Sequence, residues 1–462
     1  MNDTLRSMFH PFSRIFIVMC ALAPKGWTQC DTGSITTNDA QADDEASAAL
    51  SFGSNELFLS APYDDDAGLY TGSAYVFQCS GSGWGQVTKL LASDATPTDL
   101  FGISLDANGE FLIIGSPNND QAGNQAGAAY VFDRAGTTWV EAQKLLPSVG
   151  GAFGIISVFG SRAAIGAPLD GTVSDHPGAV YIFEPRVGTW TEIARLVSDE
   201  PVGGALGVSV CVIGNRVLAG AVWSDGAIPD SGAAYVFEAD ASGWSQTAKL
   251  IAPDASFASE VGCAVGLSGN RAVVGASYQD SSSSNAGAAY IFEKLESGWT
   301  FSQKLVASDP NSNAYFGWSV AFSGDRIAVG APESKVNGVR TGAVYIFERR
   351  DNVWVEVQKI ARIGAQQFDY FGASVSIWGN GLLAGAFADD TAAPDGGAAY
   401  VFPVGVGTNY CESTPNSDGE PAVVSSTGTA SVAANDLRLA ATPVPNQPGI
   451  FFFGVNQAQI PF

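Results

Sequence analysis

A six-residue string, Gly followed by Ala or Ser, Ala or Val, Tyr, Val or Ile, and Phe, occurs seven times in this chain of 462 residues. Its tyrosines are Tyr75, Tyr130, Tyr181, Tyr235, Tyr290, Tyr345 and Tyr400, at steps of 55, 51, 54, 55, 55 and 55. Self-similarity at a fixed period of this size means that one supersecondary unit is repeated and that each copy buries its apolar faces against its neighbours. Any fold proposed for the chain has to accommodate seven equivalent units.

Each unit carries further signals in the same order. Upstream of the tyrosine lies a Gly-Ala-Pro-like string, such as Gly166-Ala167-Pro168 and Gly330-Ala331-Pro332, and further upstream a Phe-Gly or a relative, as at Phe101-Gly102, Phe153-Gly154, Phe316-Gly317 and Phe371-Gly372. Downstream come a Trp and a Lys-Leu, for example Trp84 with Lys89-Leu90. Val320-Ala321-Phe322 and Arg326-Ile327-Ala328-Val329 flank Ser323-Gly324-Asp325, a tight hairpin signal. The third strand is Ala343–Phe347 and the fourth runs from Trp354 to Ile360. Four short antiparallel strands per unit, repeated radially, describe a β-propeller blade, and seven copies make an all-β, seven-bladed ring. Along the third strand Tyr and Phe point to one side and the intervening Val or Ile to the other, so both faces are apolar and the tyrosines belong to the packing.

The seventh unit lacks a fourth strand: Phe402 is followed by Pro403 and a Gly-rich stretch. Ile35 precedes Asn38-Asp39 with the spacing by which Leu90 precedes Ser93-Asp94. Residues 30–36 are therefore expected to supply the missing strand and close the ring, leaving no open sheet edge. Glu45-Ala46 then stands where later units have Phe-Gly.

Phe-Gly followed by Gly-Ala-Pro, in seven tandem copies over residues 30–403, resembles the FG-GAP repeats of the integrin alpha-chain head and of many exported bacterial proteins. The resemblance implies a seven-bladed propeller that binds or adheres outside the cell without catalysis. In calcium-binding repeats of this kind, the loop between the first two strands carries alternating Asp/Asn ligands before a Gly. Here that loop has shrunk to strings such as Ser268-Gly269-Asn270-Arg271, and its fullest remnant, Asp106-Ala107-Asn108-Gly109-Glu110, offers too few oxygens for calcium. No metal site and no cofactor are expected from these loops.

In an antiparallel blade the 2–3 and 4–1 connections emerge at one end. The 2–3 loops, 63–71 through 388–396, keep one length while their sequences vary, as scaffolds do when they present a recognition surface. An Asp recurs three residues after the Pro position, at Asp65, Asp120, Asp225, Asp280 and Asp390, with Asp170 displaced by one in the third unit and Lys335 in the sixth. A carboxylate that accepts backbone N–H bonds to hold its loop accounts for this recurrence, so Asp120, Asp170, Asp225 and Asp280 are assigned a structural role. The surplus acids Asp64 and Asp66 beside Asp65, and Asp389 beside Asp390, are the candidate ligand-binding residues. The expectation there is a contact assisted at most by weakly bound calcium.

Composition excludes several classes. Lys and Arg total 22 against 46 Asp and Glu, a net charge of −24, which opposes a nucleic-acid partner. There are two histidines, His10 and His176, which nearly removes His-based triads and multi-His metal sites. No pair of the six cysteines has the Cys-x-x-Cys spacing of a metal site. Cys211 and Cys263, inside apolar strand-like stretches, are expected as buried thiols, whereas Cys30, Cys79 and Cys411 lie at element edges where a disulfide can form. Arg6 and Arg14 precede the apolar run 15–23, so residues 1–29 read as a secretory signal and short lead, cleaved near 23–29, too short in their apolar part to span a membrane.

After residue 403 the period is lost and residues 404–462 read as a small β module with strand-like runs at Val423-Val424, 436–439 and 450–453, or as a partly disordered tail. The expected protein is exported and noncatalytic, with a loop rim that contacts an extracellular glycan or protein. A polysaccharide hydrolase or lyase working with carboxylates, and a structural cell-surface component, are the alternatives, but no carboxylate stands apart from the repeat pattern as a catalytic one would.

Overall fold

The structure, a computed structural model, describes residues 18–20, 33–53, 55–80, 83–171, 177–199, 204–404, 423–427 and 438–442. Its described residues contain strands and no α-helix. The chain divides into two compact units, Met1–Phe402 and Pro403–Phe462. In the second unit Val423–Thr427 pairs antiparallel with Arg438–Thr442; the expected strand at 450–453 lies outside the described residues, as do His176, Cys30, Cys411 and all of the expected signal segment except Val18–Cys20. That short strand runs parallel to Val320–Phe322.

The first unit is a seven-bladed propeller. Seven four-stranded antiparallel arrays follow one another, spanning 50–90, 104–145, 155–196, 209–250, 261–305, 319–360 and 374–403, and the last is completed by Ser34–Ile35. Within each blade the first strand lies at the axis and the fourth at the periphery. Blade 6 shows the pattern: Ser319–Ser323, Arg326–Ala331, Ala343–Arg350 and Val353–Ile360 are paired in that order. Its 2–3 loop carries a small extra hairpin, Lys335–Val336 with Val339–Arg340.

Packing between blades explains the sequence signature. The motif tyrosines are essentially buried, from Tyr75 at 0% exposure to Tyr400 at 8%, the largest value falling where the outer strand is shortest. The Phe of each Phe-Gly lies edge-on to the Tyr of its own blade, as Phe316 does to Tyr345 at 5.4 Å between centroids. The two glycine motifs meet across each blade boundary. A Cβ on Gly330 would lie 1.9 Å from the carbonyl oxygen of Gly372 in the next blade, so no side chain fits. Gly372 itself has φ +90°, a conformation open to glycine and strained for other residues. The same Gly372 carbonyl accepts the Ser319 hydroxyl at 2.8 Å, which fixes the approach.

The ring closes as the sequence suggests. Ser34 pairs with Tyr400 and Ile35 with Ala399, and Ile35 is 5% exposed. The Phe-Gly equivalent of blade 1 sits one residue later than expected: Ala46 takes the Phe position, its N–H bonded to the Gly396 carbonyl, and Ser47, at φ 76°, takes the Gly position. The Ser47 backbone carbonyl accepts the Ser374 hydroxyl of blade 7, as Gly372 accepts that of Ser319. Without a phenylalanine to anchor the alignment, the sequence alone placed this junction one residue too early.

One cysteine assignment is corrected. Cys263 is a buried thiol outside any disulfide, donating to the Gly317 carbonyl at 3.3 Å, but Cys211 is disulfide-bonded, as is Cys79. Cys211 lies in the innermost strand of blade 4, Ser209–Ile213, and is fully buried.

Candidate functional site

All the longer connections emerge on one face, and a repeated polar cluster holds them there. In the third and fourth strands Tyr75 is the direct cross-strand partner of Lys89. This register brings the ammonium over the tyrosine ring, 5.4 Å from its centroid. Both reach one carboxylate: Asp64 accepts from the Tyr75 hydroxyl at 2.7 Å, from Ser73 at 2.7 Å, and from Lys89 at 2.7 Å. Burial acts to raise the Asp64 pKa, but these bonds outweigh it and hold the carboxyl below the ordinary carboxylate range.

The other blades repeat the cluster with the carboxylate drawn from either of two loops. Asp170 of blade 3 comes from the 2–3 loop and is paired with Arg195 at 2.8 Å. In blades 2, 5 and 6 the acid comes instead from the preceding 4–1 loop: Asp94, Asp254 and Asp309 each accept a tyrosine hydroxyl at 2.8 Å and a lysine at 2.7, 2.7 and 2.6 Å. The 2–3 loop position of those blades then holds a neutral Asn119, Gln279 or Ser334. Blade 7 has Ser34 where the others have a cation, and Arg362 substitutes from the 4–1 loop: it is bonded to Asp389 and lies 5.0 Å from the Tyr400 ring centroid.

These contacts place the expected site residues in two groups. Asp64 and Asp389, at 2% and 0% exposure, are buried inside the Tyr–cation clusters. Asp170 belongs with them, bonded to Tyr181 and Arg195, and not with the residues it was grouped with by sequence. Asp120, Asp225, Asp280 and Asp390 are exposed at the loop tips and each accepts the backbone N–H five residues on, at 2.7, 3.2, 2.8 and 2.9 Å. Asp65 is exposed at the equivalent tip of blade 1.

Asp66 joins Asp39 and Asp64 in a group of three carboxylates whose oxygens lie within 4.8 Å of one another. The Lys89 ammonium stands among them, 2.8 Å from Asp39, 2.7 Å from Asp64 and 2.5 Å from Asp66. A calcium ion at this point would have to displace that ammonium. The Asp64–Asp66 and Asp389–Asp390 groups each carry their own internal cation, Lys89 and Arg362.

The axial mouth of the rim was not identified from sequence. The residue immediately before each Phe-Gly position is Glu45, Leu100, Ala152, Ala205, Glu260, Tyr315 or Tyr370, and all seven are left-handed, with φ of 52, 56, 53, 52, 59, 56 and 58°. Such a conformation costs a non-glycine residue about 1 kcal/mol, yet none of the seven is glycine. At the rim end of the innermost strands, Leu100, Ala152 and Ala205 belong to one packed cluster with Phe316 and Trp318, against which Tyr63, Trp223, Tyr278 and Tyr315 are half-buried. A single cluster drawing on blades 1 to 6 can form only around the axis. The available signal was this column of the repeat, whose residue types change in chemical class, from aliphatic to acidic to aromatic, where the Phe position beside it stays apolar.

The mouth is also electrostatically distinct. Burial, with Asp395 and Asp43 adding to it, pushes the Glu45 carboxyl up to about 8. Glu333 is paired with Arg340 at 2.7 Å, and burial raises its pKa against the pull of that guanidinium.

The FG-GAP repeat family model matches residues 84–132, 190–237, 244–292, 299–347 and 354–402, together just over half of the chain. Each match runs from the Trp of one fourth strand to the Phe of the next third strand. A search of curated proteins returned no match. No helix of the described residues is long and apolar enough to cross a membrane.

Proposed function

Because the chain belongs to the FG-GAP repeat family, we propose that it is an exported, noncatalytic binding or adhesion protein that contacts an extracellular glycan or protein through its loop rim. The observation that carries this reading is the contrast within the rim. The loop bases are held by a Tyr–cation–carboxylate cluster in six blades, its tyrosine buried in each and its carboxylate buried in blades 1, 3 and 7, while Tyr235 of blade 4 is bonded to Ser224 at 2.6 Å. The tips differ and are solvent-facing, with Leu69 at 55%, Ile228 at 38% and Phe257 at 70% exposure. Fixed backbone under variable exposed side chains is the arrangement of a recognition surface.

The noncatalytic part is supported by how the acids are used. The buried rim carboxylates Asp64, Asp170 and Asp389 accept hydrogen bonds from tyrosine and a basic residue, so their lone pairs are committed to holding loops. Disulfides at Cys79 and Cys211 fit an oxidising compartment. The test is retention of the full chain on immobilised polysaccharides and extracellular proteins, with and without a chelator, alongside an assay for released sugar ends. Retention without product supports the reading. Product release overturns the noncatalytic part, and no retention on any surface overturns the binding part.

A further inference from the structure

The composition of the mouth differs between its two sides. Before the Phe-Gly positions, blades 2 to 4 present the buried aliphatics Leu100, Ala152 and Ala205, whereas blades 5 to 7 and the seam present Glu260, Tyr315, Tyr370 and Glu45. On that second side the aromatic rings are half-buried and paired. Tyr315 lies 4.9 Å from Tyr278, and Tyr370 is stacked on Phe387 at 4.9 Å with 9° between the planes. Between the two pairs stands the Glu333–Arg340 ion pair, close enough that the Glu333 charge acts on both Tyr315 and Tyr370.

We propose that this arc of the mouth, from Tyr315 through Glu333–Arg340 to Tyr370 and Glu45, binds a neutral pyranose-containing glycan. The proposal rests on the binding reading above and adds the site and the ligand class. A pyranose has an apolar C–H face and a rim of hydroxyls. Partly exposed aromatic rings interleaved with a few fixed polar groups match both, the rings taking the C–H face and the carboxylates and guanidinium taking hydroxyls. Backbone held in the left-handed conformation at Glu45, Tyr315 and Tyr370 presents these side chains already oriented, which lowers the ordering cost of binding. Charge selects among glycans. The Glu333 and Asp395 charges act on Tyr370 beside the guanidinium of Arg340, on a chain of net charge −24, and uronate- or sulfate-bearing polymers are repelled from such a surface.

The test is calorimetry and tryptophan fluorescence on the full chain with cellohexaose and mannohexaose as neutral probes and polygalacturonate and heparin as anionic ones. Trp318, its ring 6.1 Å from that of Tyr315, serves as the reporter. A neutral probe is expected to bind, with Tyr315→Ala or Phe387→Ala weakening it about tenfold or more, Tyr315→Phe and Tyr370→Phe largely retaining it, and Val140→Ser on an outer strand leaving it unchanged. The Phe variants keep the ring and guard against a loss caused by misfolding, and thermal midpoints are measured for all. Neutral-glycan binding that survives both alanine variants overturns this site while leaving the binding reading intact. Equal binding of the anionic probes, or retention only on a protein, overturns the ligand class.

Discussion

Arg362 lies over the ring of Tyr400 and is bonded to the buried carboxylate of Asp389, the place that Lys89 occupies against Tyr75 and Asp64. It reaches there from a different loop, because the strand that should carry the cation is the N-terminal Ser34–Ile35, whose residue opposite Tyr400 is a serine. Arg362→Met leaves Asp389 and Asp369 buried without their cation. It is expected to cost about 3–5 kcal/mol, and Arg362→Met with Asp389→Asn is expected to recover part of that. Chemical denaturation of the three variants measures both, and equal stability of the single variant and the parent would refute the role.

Ring closure depends on few residues. Deleting residues 30–36 removes the partner of Ala399–Tyr400 and exposes a sheet edge at the seam. The expected outcome is a lower thermal midpoint and concentration-dependent aggregation by light scattering. An unchanged midpoint would show that closure by this strand does not matter.

Gly330→Ala puts a methyl 1.9 Å from the Gly372 carbonyl oxygen, and the obstructing atom is backbone. Blades 6 and 7 must separate, so the loss is expected to exceed about 3 kcal/mol, at the severe end for single substitutions. Gly324→Ala, at a turn with open space around it, is the comparison. Its φ of +60° should cost it only about 1 kcal/mol.

Asp106 lies in the innermost strand of blade 2, 2% exposed, and accepts the Val158 N–H of the next blade at 2.8 Å. Burial, opposed by hydrogen bonds, raises its pKa from 3.8 to about 7. The folded state therefore keeps a proton that the unfolded chain releases. This group's contribution to stability is full below pH 3.8, is lost as pH rises from there to about 7, and is constant above. Ser157, at the equivalent place in blade 3, makes the corresponding bond to Val212 without a charge. Asp106→Ser is expected to be more stable than the parent at pH 8 and to show a flatter stability profile between pH 4 and 7 in denaturant titrations.

Lys89→Met leaves Asp39, Asp64 and Asp66 together without a cation. The variant is expected to lose about 3–5 kcal/mol and to regain part of its thermal midpoint in millimolar calcium, while the parent protein's midpoint does not respond. A calcium-dependent midpoint in the parent would mean that the ion displaces the lysine.

The blades were legible in sequence because each repeats the same buried Tyr, Phe and Gly, and burial at fixed spacing leaves a periodic trace. The closing strand was legible for the same reason, through the distance from Ile35 to Asp39. The division of labour among the rim acids was not. Asp65 and Asp64 are adjacent in the same loop, yet one faces water and the other is buried against Tyr75, and a loop has no side-chain period from which to read the difference. Asp170 was grouped with the tips for that reason. Arg362 was missed because it reaches Asp389 from outside the column that supplies a cation elsewhere, and Tyr315 and Tyr370 because a position that varies between copies leaves no repeat to read.

The two-residue clasp at Ser34–Ile35 sets an order on folding. Its partners, Ala399 and Tyr400, are more than 360 residues away, so during synthesis this strand must wait, without its partner, until the last blade has emerged. Six blades can pack in sequence as they appear, but the wheel locks only when Ser34–Ile35 meets Ala399–Tyr400.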